Sequence, residues 1–424
     1  MASSAHPSWP GAVMQSSTTD VVDRSRSVDT RSFPVALEGH RNFQLAPLRV
    51  VLVVEAAGGG VAVHIADMVR GLRARGGVEI HLVVPTGARF DGVILTENVL
   101  AQCDTVHRVP MRRSVGRSDT IAFAQLFKCL HKIRPDIVHS HSSKAGALAR
   151  MCIGPWKQVY TPHAVYTLNP YLPRAQQRFY GLIEGFLGRL RSDRIIAVSV
   201  DEAEHLRQVL RIPADRIETI FNGVPAPSLL PSLEARAALG LPREAVVVGF
   251  VGRLDFQKGV DRLLRVAQCL LERGMDNVIF AVMGSGDFDS ASGVNKESIP
   301  VNVRVLGLIP EARRYFSAFD IFALPSRYEG FPYVVLEAMA ASVPIVSTRV
   351  SGAAELIDAE QIGFVVPNED DTNLFADATA ALAQDPMMRE RMSLNCERAV
   401  ERFSAAAMVE RTVDLYKRLL EESN

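Results

Sequence analysis

At 424 residues the chain exceeds what one hydrophobic core usually organises, so two domains are expected. Its 48% hydrophobic and 22% charged residues exclude a disordered or fibrous class, and no apolar run approaches the roughly 18 residues of a membrane span. The net charge of zero is unevenly spread: residues 1–225 carry 27 Lys plus Arg against 19 Asp plus Glu, and residues 226–424 carry 20 against 28. A basic half suits an anionic substrate or an anionic membrane surface, or is merely a solvated face, and no nucleic-acid partner is expected.

Residues 1–46 are rich in Ser, Asp and Arg without periodicity and read as a disordered tail; the start lacks the charged and apolar regions of a secretory signal. An N-terminal α/β domain over 47–224 opens with "LRVVLVVEAAGGGVAVHIADMVRGLRARG", a buried strand, a glycine loop and a helix. Further strand signals are "VEIHLVVP", "DIVHS", "KQVYTPHA" and "DRIIAVS", interleaved with helical stretches, which means a parallel sheet covered on both faces. "FNGVPAPSLLPS" (221–232) has linker composition. A second doubly wound domain over 225–404 then repeats the pattern through "AVVVGFVGR", "NVIFAVMGSG", "VRVLG", "DIFALPS", "PIVST" and "GFVVP". The last helix, within 405–424, can pack back on either domain. Five cysteines without metal or disulfide spacing read as reduced thiols of a cytoplasmic protein.

The most informative stretch is "PSRYEGFPYVVLEAMA" (325–340), with Glu329 and Glu337 bracketing a helix start at Pro332. The two acids are a solvated helix face, a catalytic pair, or the jaws of a ligand site. Amide groups near Gly330 and Phe331 would point from the helix start into a cleft and suit phosphate or an anionic sugar substituent. Independently, "VGRLDFQKGVDRLL" places Gly252, Arg253, Lys258 and Gly259 at the carboxyl end of the second domain's first strand. A planar fork and a mobile point charge on a glycine-bearing loop fit diphosphate oxygens.

"GRLDFQKG" followed by "EGFPYVVLE" resembles the C-terminal domain of glycosyltransferase family 4, the retaining GT-B nucleotide-sugar transferases. The likeness extends over about 48–420 through "AAGGGVAVHI", "DIVHSHSSKAG", "VYTPHAVYT" and "TIFNGV". It implies two Rossmann-like domains facing across a cleft. Arg253 and Lys258 would neutralise the diphosphate, Glu337 would bind the ribose, and Glu329 would bind donor-sugar hydroxyls. Gly330 and Phe331 would offer amides, His163 would contact the sugar or the transferring centre, and Gly59 would lie in the loop over donor phosphates and acceptor. Leu306 is placed beside the nucleotide base. The donor is expected to be UDP- or GDP-linked, with no metal and no separate cofactor. The likeness to bacterial surface-polysaccharide enzymes implies a lipid-linked or saccharide acceptor in exopolysaccharide or capsule synthesis.

Other features have competing readings. His139 and His141 in "HSH" resemble a metal half-site, but no further ligands stand at metal spacing, so a structural or acceptor-lining role is preferred; Lys144 is a candidate contact for an anionic acceptor. The glycine loop Gly58–Gly60 departs from a dinucleotide fingerprint, and "DFD" (287–289) is read as a coincidental match to a metal motif. The segment 173–194 sets Phe179, Leu182, Ile183, Phe186 and Leu190 near helical spacing among Arg174, Arg178, Arg189, Arg191 and Arg194. It either lies on the inner face of the plasma membrane, as in a peripheral enzyme, or packs on its own domain. An inverting transferase or a nucleotide-sugar epimerase, with His64 or His163 as base, and a non-catalytic nucleotide-sugar module are the rival readings.

Overall fold

The computed structural model describes residues 47–112, 116, 118–294 and 298–422, so the expectation for 1–46 lies outside the described residues. The first sheet holds seven parallel strands: β1 (Leu48–Val54), β2 (Val78–Pro85), β3 (Thr105–Val109), β4 (Ile137–His141), β5 (Lys157–Thr161), β6 (Arg194–Ala197) and β7 (Ile217–Thr219). Their order is β3-β2-β1-β4-β5-β6-β7. The second sheet holds β8 (Val246–Val251), β9 (Val278–Met283), β10 (Val303–Gly307), β11 (Ile321–Leu324), β12 (Ile345–Thr348) and β13 (Gly363–Val366), in the order β10-β9-β8-β11-β12-β13. In each sheet the strand order reverses beside the first strand, which opens a crevice at the carboxyl edge, where open α/β sheets bind ligands. The sequence pattern supplies all of these strands except the edge strands β3 and β7. β3 has one buried residue among five and β7 has three residues, none buried, so neither carries a buried apolar run.

Apolar strands covered on both sides alternate their residues between two cores. Val50, Leu52 and Val54 enter a cluster with the helix Gly59–Arg75, whereas Val51 and Val53 enter one with Leu126, Leu148 and Trp156. In the second sheet Val247 and Phe322 face one core, and Val248, Phe250 and Phe280 the other. The terminal helix Ala405–Glu421 buries Met408, Val409, Val413, Leu415, Tyr416 and Leu419 in the core of the first sheet. Tyr416 brings its hydroxyl to 2.6 Å from His139 Nδ1 on β4, and a Cβ at Gly71 would stand 2.6 Å from Val409, so the two helices are in close contact.

The chain therefore crosses between sheets twice, and the crossings are stitched together. Val224 donates its N–H to Phe403 O and accepts from Ala405 N–H, each at 2.9 Å. Gly223 is needed there because a Cβ would fall 2.4 Å from Ser404 O. Among the described residues no helix is long and apolar enough to cross a membrane, and all five cysteines are free.

The helix Arg174–Leu190 docks through Glu184, Gly185, Leu187 and Gly188. Glu184 pairs with the buried Arg150 at 2.7 Å and accepts from Tyr160 Oη at 3.0 Å. Its other face stays uncovered: Phe179 is 59%, Leu182 71%, Phe186 55% and Leu190 62% exposed. The arginines expected to flank this stripe divide. Arg174 and Arg178 are exposed, whereas Arg189 donates to Leu210 O, Arg191 to Arg150 O, and Arg194 to Glu422.

Truncating the tyrosine that ties the last helix to β4 tests this architecture. Tyr416→Ala is expected to lower unfolding free energy by about 3–5 kcal/mol in urea denaturation, as for other large aromatic truncations in cores.

Candidate functional site

At the carboxyl edge of the second sheet two loops are zipped together. After β8, Asp255 accepts the Lys258 N–H at 3.1 Å and caps a short turn, Phe256–Lys258. Gly259 follows with φ 70°, and a Cβ there would lie 2.2 Å from Pro325 O, so only glycine lets this loop meet the one after β11. Arg327 N–H donates to Gln257 O at 2.8 Å, Gln257 Nε2 to Tyr328 O at 3.0 Å, and the Arg327 guanidinium to both oxygens of Asp261. This scaffold sets Lys258 Nζ 2.7 Å from Glu329 Oε1, both largely buried. Arg253 stands on the same loop but turns outward, with its side chain 61% exposed, paired to Asp255 at 2.9 Å and donating to Gln257 Oε1 at 3.1 Å.

Glu337 lies on the helix Tyr333–Ala340 and has different surroundings from Glu329, in keeping with a turn between them rather than one straight helix. Burial pushes its carboxyl up to about 7; Arg313 opposes the shift and Asp67 of the first half reinforces it. Burial pushes Asp67 up to about 6, with Arg70 and Arg313 opposing the shift, and its Oδ2 has no hydrogen-bond partner among the described residues. A cavity of about 200 Å³ is lined by Arg327, Tyr328, Glu329, Arg349, Ser351 and Asn368 with Leu168 and Pro170 of the first half. A larger one, about 440 Å³, is lined by the glycine loop Gly284–Gly286, Asp287, Val305, Gly307 and Leu308. Leu306 itself packs against the core while its neighbours line this cavity. Asp287, in "DFD", caps the helix Phe288–Ser292 by accepting from Ser290 N–H.

The first sheet presents histidines at its carboxyl edge. His64 follows the loop after β1, His141 ends β4 and His163 follows β5, and these three strands are neighbours. His141 Nδ1 and His163 Nε2 are 3.0 Å apart, and the rings of His64 and His163 meet edge to face at 4.5 Å. Burial lowers all three, His64 to about 4, so the rings are neutral near pH 7. His139 shares the strand face of His141, but both its nitrogens are engaged, by Tyr416 and Thr161. Lys144 pairs with Asp119 at 2.7 Å. Gly59 has φ 56° and nothing within 4 Å of its absent Cβ, so it leaves open space in the loop.

His163 and Ala164 both take positive φ, 56° and 79°. Glu202 holds that turn by accepting the N–H groups of Ala164, Val165 and Val198, each at 2.9 Å. Gly330 closes onto it: a Cβ at Gly330 would stand 2.7 Å from Ala164 Cβ. Tyr333 Oη reaches His64 Nδ1 at 3.0 Å, and Asn222 Nδ2 donates to Phe331 O at 3.1 Å. His163, Gly330, Phe331 and the Lys258–Glu329 pair are thus gathered where the two edges meet, while Arg253 faces outward. Sequence reasoning missed Glu202, Asn222, Tyr333 and Asp67 as site-building residues. Asn222 and Tyr333 sit inside quoted motifs, whereas nothing local distinguishes Glu202 or Asp67 from surface helix acids.

Two doubly wound parallel sheets meeting at their carboxyl edges define the GT-B class. The profile described as Glycosyltransferase Family 4 matches residues 58–226, and the one described as Glycosyl transferases group 1 matches 245–385, one on each half. The D-inositol 3-phosphate glycosyltransferase of Saccharomonospora viridis is 29% identical over 306 residues, 66% of this chain and 70% of that one. The UDP-Gal:alpha-D-GlcNAc-diphosphoundecaprenol alpha-1,3-galactosyltransferase of Escherichia coli is 27% identical over 312 residues, 70% of this chain and 79% of that one. HepE of Anabaena, solved with UDP, superposes with a TM-score of 0.72 at 19% identity, covering 88% of this chain and 100% of that one. The chain belongs to the family 4-like GT-B glycosyltransferases and is a transferase enzyme.

The raised Glu337 carboxyl has a consequence for stability. An acid that binds its proton more tightly folded than unfolded favours folding below its unfolded pKa, and that advantage is lost as pH rises to about 7. Glu337→Gln is therefore expected to leave the melting temperature nearly unchanged at pH 4.5 and to raise it relative to wild type at pH 8. Thermal scans of both proteins across that range check the sign.

Proposed function

We propose that the enzyme transfers a hexose from a nucleoside diphosphate donor to a hydroxyl acceptor with retention at the anomeric carbon. The observation that carries this reading is the buried Lys258–Glu329 pair at 2.7 Å, set on two glycine-bearing loops opposite the His163 turn. A cation and an acid already in contact can exchange partners on donor binding: Lys258 turns to a diphosphate oxygen, and Glu329 accepts sugar hydroxyls. Arg253, already on the same loop, swings in from solvent to share the phosphate charge. Amides at Gly330 and Phe331, before the helix Tyr333–Ala340, add fixed positive dipole. His163 faces the sugar from the first sheet. Glu337 takes the ribose, and the cavity beside Val305, Gly307 and Leu308 takes the base. The departing phosphate accepts the acceptor's proton on the face it leaves, so no strong protein base is required. That fits a site whose three histidines are neutral and mutually packed.

The donor is UDP- or GDP-linked; UDP is favoured by the Escherichia coli relative, named for UDP-Gal, and by the UDP complex of HepE. The same relative is named for a diphosphoundecaprenol acceptor, which favours a lipid-linked acceptor in surface-polysaccharide assembly. The exposed stripe Phe179, Leu182, Phe186 and Leu190, next to Arg174 and Arg178, then docks the first half on an anionic membrane from the cytoplasmic side. With only two free arginines on this helix, burial of the four apolar side chains supplies most of the binding.

Lys258→Ala is expected to lower kcat by about 10²–10³-fold, comparable to removing one preorganised donor from a charged transition state, with the fold retained. Glu337→Ala is expected to weaken calorimetric binding of free UDP or GDP, whereas Glu329→Ala leaves it largely intact and depresses turnover. Near-normal turnover of Lys258→Ala, or equal binding losses for the two glutamate variants, overturns the assignment. An inverted anomeric proton in the product NMR spectrum overturns retention and favours His64 or His163 as a base.

Wild-type enzyme is expected to float with anionic liposomes, and Phe179→Ser/Leu182→Ser/Phe186→Ser to stay in the liposome-free fraction while still binding nucleotide. If wild type itself does not float at low salt, the acceptor is soluble.

A further inference from the structure

The structure assigns His64, His141 and His163 as a site for a borderline transition-metal dication of the zinc class, built across three neighbouring strands at the mouth of the transfer site. One ring nitrogen from each histidine lies within 4.8 Å of the others. Zinc–nitrogen bonds of about 2.1 Å set tetrahedral ligand nitrogens about 3.4 Å apart, so the wider spacings must close and the shortest open slightly, each by small ring shifts. The closest pair, His141 Nδ1 and His163 Nε2, already stands at 3.0 Å.

Two further observations point to a ligand. His141 Nε2 is buried with no hydrogen-bond partner among the described residues, so nothing on that side fixes the ring's tautomer, and Nδ1 can give up its hydrogen bond to His163 and present its lone pair to a ligand. His64 is oriented in the manner of a metal-binding histidine. Asn222 donates its amide N–H to Phe331 O at 3.1 Å, which turns its carbonyl oxygen to His64 Nδ1 at 3.2 Å. An amide oxygen only accepts, so with Nδ1 donating towards it the Tyr333 hydroxyl at 3.0 Å on the same nitrogen is a second acceptor, and Nε2 keeps the lone pair; a carbonyl on the far nitrogen is the usual outer partner of a ligating imidazole. His139 is not a fourth ligand, since both its nitrogens are engaged. Three imidazoles with an open fourth position suit zinc, cobalt or nickel rather than magnesium or calcium, which prefer oxygen ligands.

The bound ion is not a catalytic cofactor in this scheme. It takes the lone pair of His163, the group proposed to face the donor sugar, and so it excludes the donor. Only this exclusion rests on the transferase reading; metal binding itself does not.

The test is titration of the full-length chain with cobalt(II) alone, followed by visible ligand-field absorption, with zinc displacing the signal. One ion per chain is expected. His163→Gln and His141→Gln are expected to lose on the order of 100-fold in affinity, Asn222→Ala about 10–100-fold, and His131→Gln none. If His141→Gln does not fold by circular dichroism, His163→Gln on its loop decides. Absence of a cobalt signal in wild type, or an undiminished one in His163→Gln, overturns the site. In the transfer assay zinc is expected to raise the apparent KM for donor. Zinc binding without that rise overturns the exclusion while the site stands, and cobalt binding by a protein with no transferase activity counts against the proposed function instead.

Discussion

Three backbone N–H groups converging on the buried carboxylate of Glu202 hold the turn on which the site depends. Left-handed backbone at two successive non-glycine residues costs on the order of 1–3 kcal/mol each, and such strain persists only where the surroundings over-determine it. Glu202 meets that condition from a helix capped by Ser199, whose side chain accepts the Glu202 N–H. Burial pushes this carboxyl up to about 7 while its three hydrogen bonds pull it back. The consequence is positional. Without the turn, His163 would not reach His141 and His64, and Ala164 would not offer the surface against which Gly330 packs.

The two edges then meet through small residues and single polar bonds rather than a large apolar interface. Gly330 against Ala164, Gly60 against the Tyr333 ring, Tyr333 Oη on His64, and Val200 N–H on Glu355 are contacts of atoms rather than of faces. Apart from Val198 and the crossing segment at Val224, which join a core of the second sheet, the first half keeps three apolar clusters of its own and the second half two, so the meeting line is left to polar and small residues. The same economy separates the two glutamates. Glu329 is paired with Lys258 at 2.7 Å, whereas Glu337 has no pairing acid or base at hydrogen-bond distance among the described contacts and shifts towards its protonated form.

How much of this was legible in the sequence follows from how local each feature is. The second half could be read because its functional groups lie in two contiguous motifs, each a strand, a glycine-bearing loop and a helix start, so that Lys258 and Glu329 are placed by neighbouring strands β8 and β11. The histidine cluster could not, since His64, His141 and His163 come from separate strand–helix units and are joined only by the order β1-β4-β5 in the sheet. In the sequence His139 and His141 therefore stand as an isolated pair, because spacing along the chain cannot reveal ligands that only the sheet order brings beside them. The helix at 174–190 shows the converse error. The five arginines of 173–194 look alike in sequence, yet backbone carbonyls and Glu422 engage three of them, leaving the exposed apolar stripe as the dominant surface feature.

The double crossing between halves connects these observations. Because Val224 and the Phe403–Ala405 segment exchange backbone hydrogen bonds, the two connections act as one two-stranded strap, and the terminal helix beyond it is anchored on the first sheet by Tyr416. Any relative displacement of the halves must bend that strap as a unit, and Asn222 sits within it. Its amide spans the junction, donating to Phe331 O on the donor side and presenting its oxygen to His64 on the histidine side. A displacement that separates Phe331 from Asn222 also frees the Asn222 amide to rotate, which removes the constraint on the His64 tautomer. The geometry of the histidine cluster is thereby tied to the apposition of the two edges, through one side chain placed at the point where the chain passes from one sheet to the other.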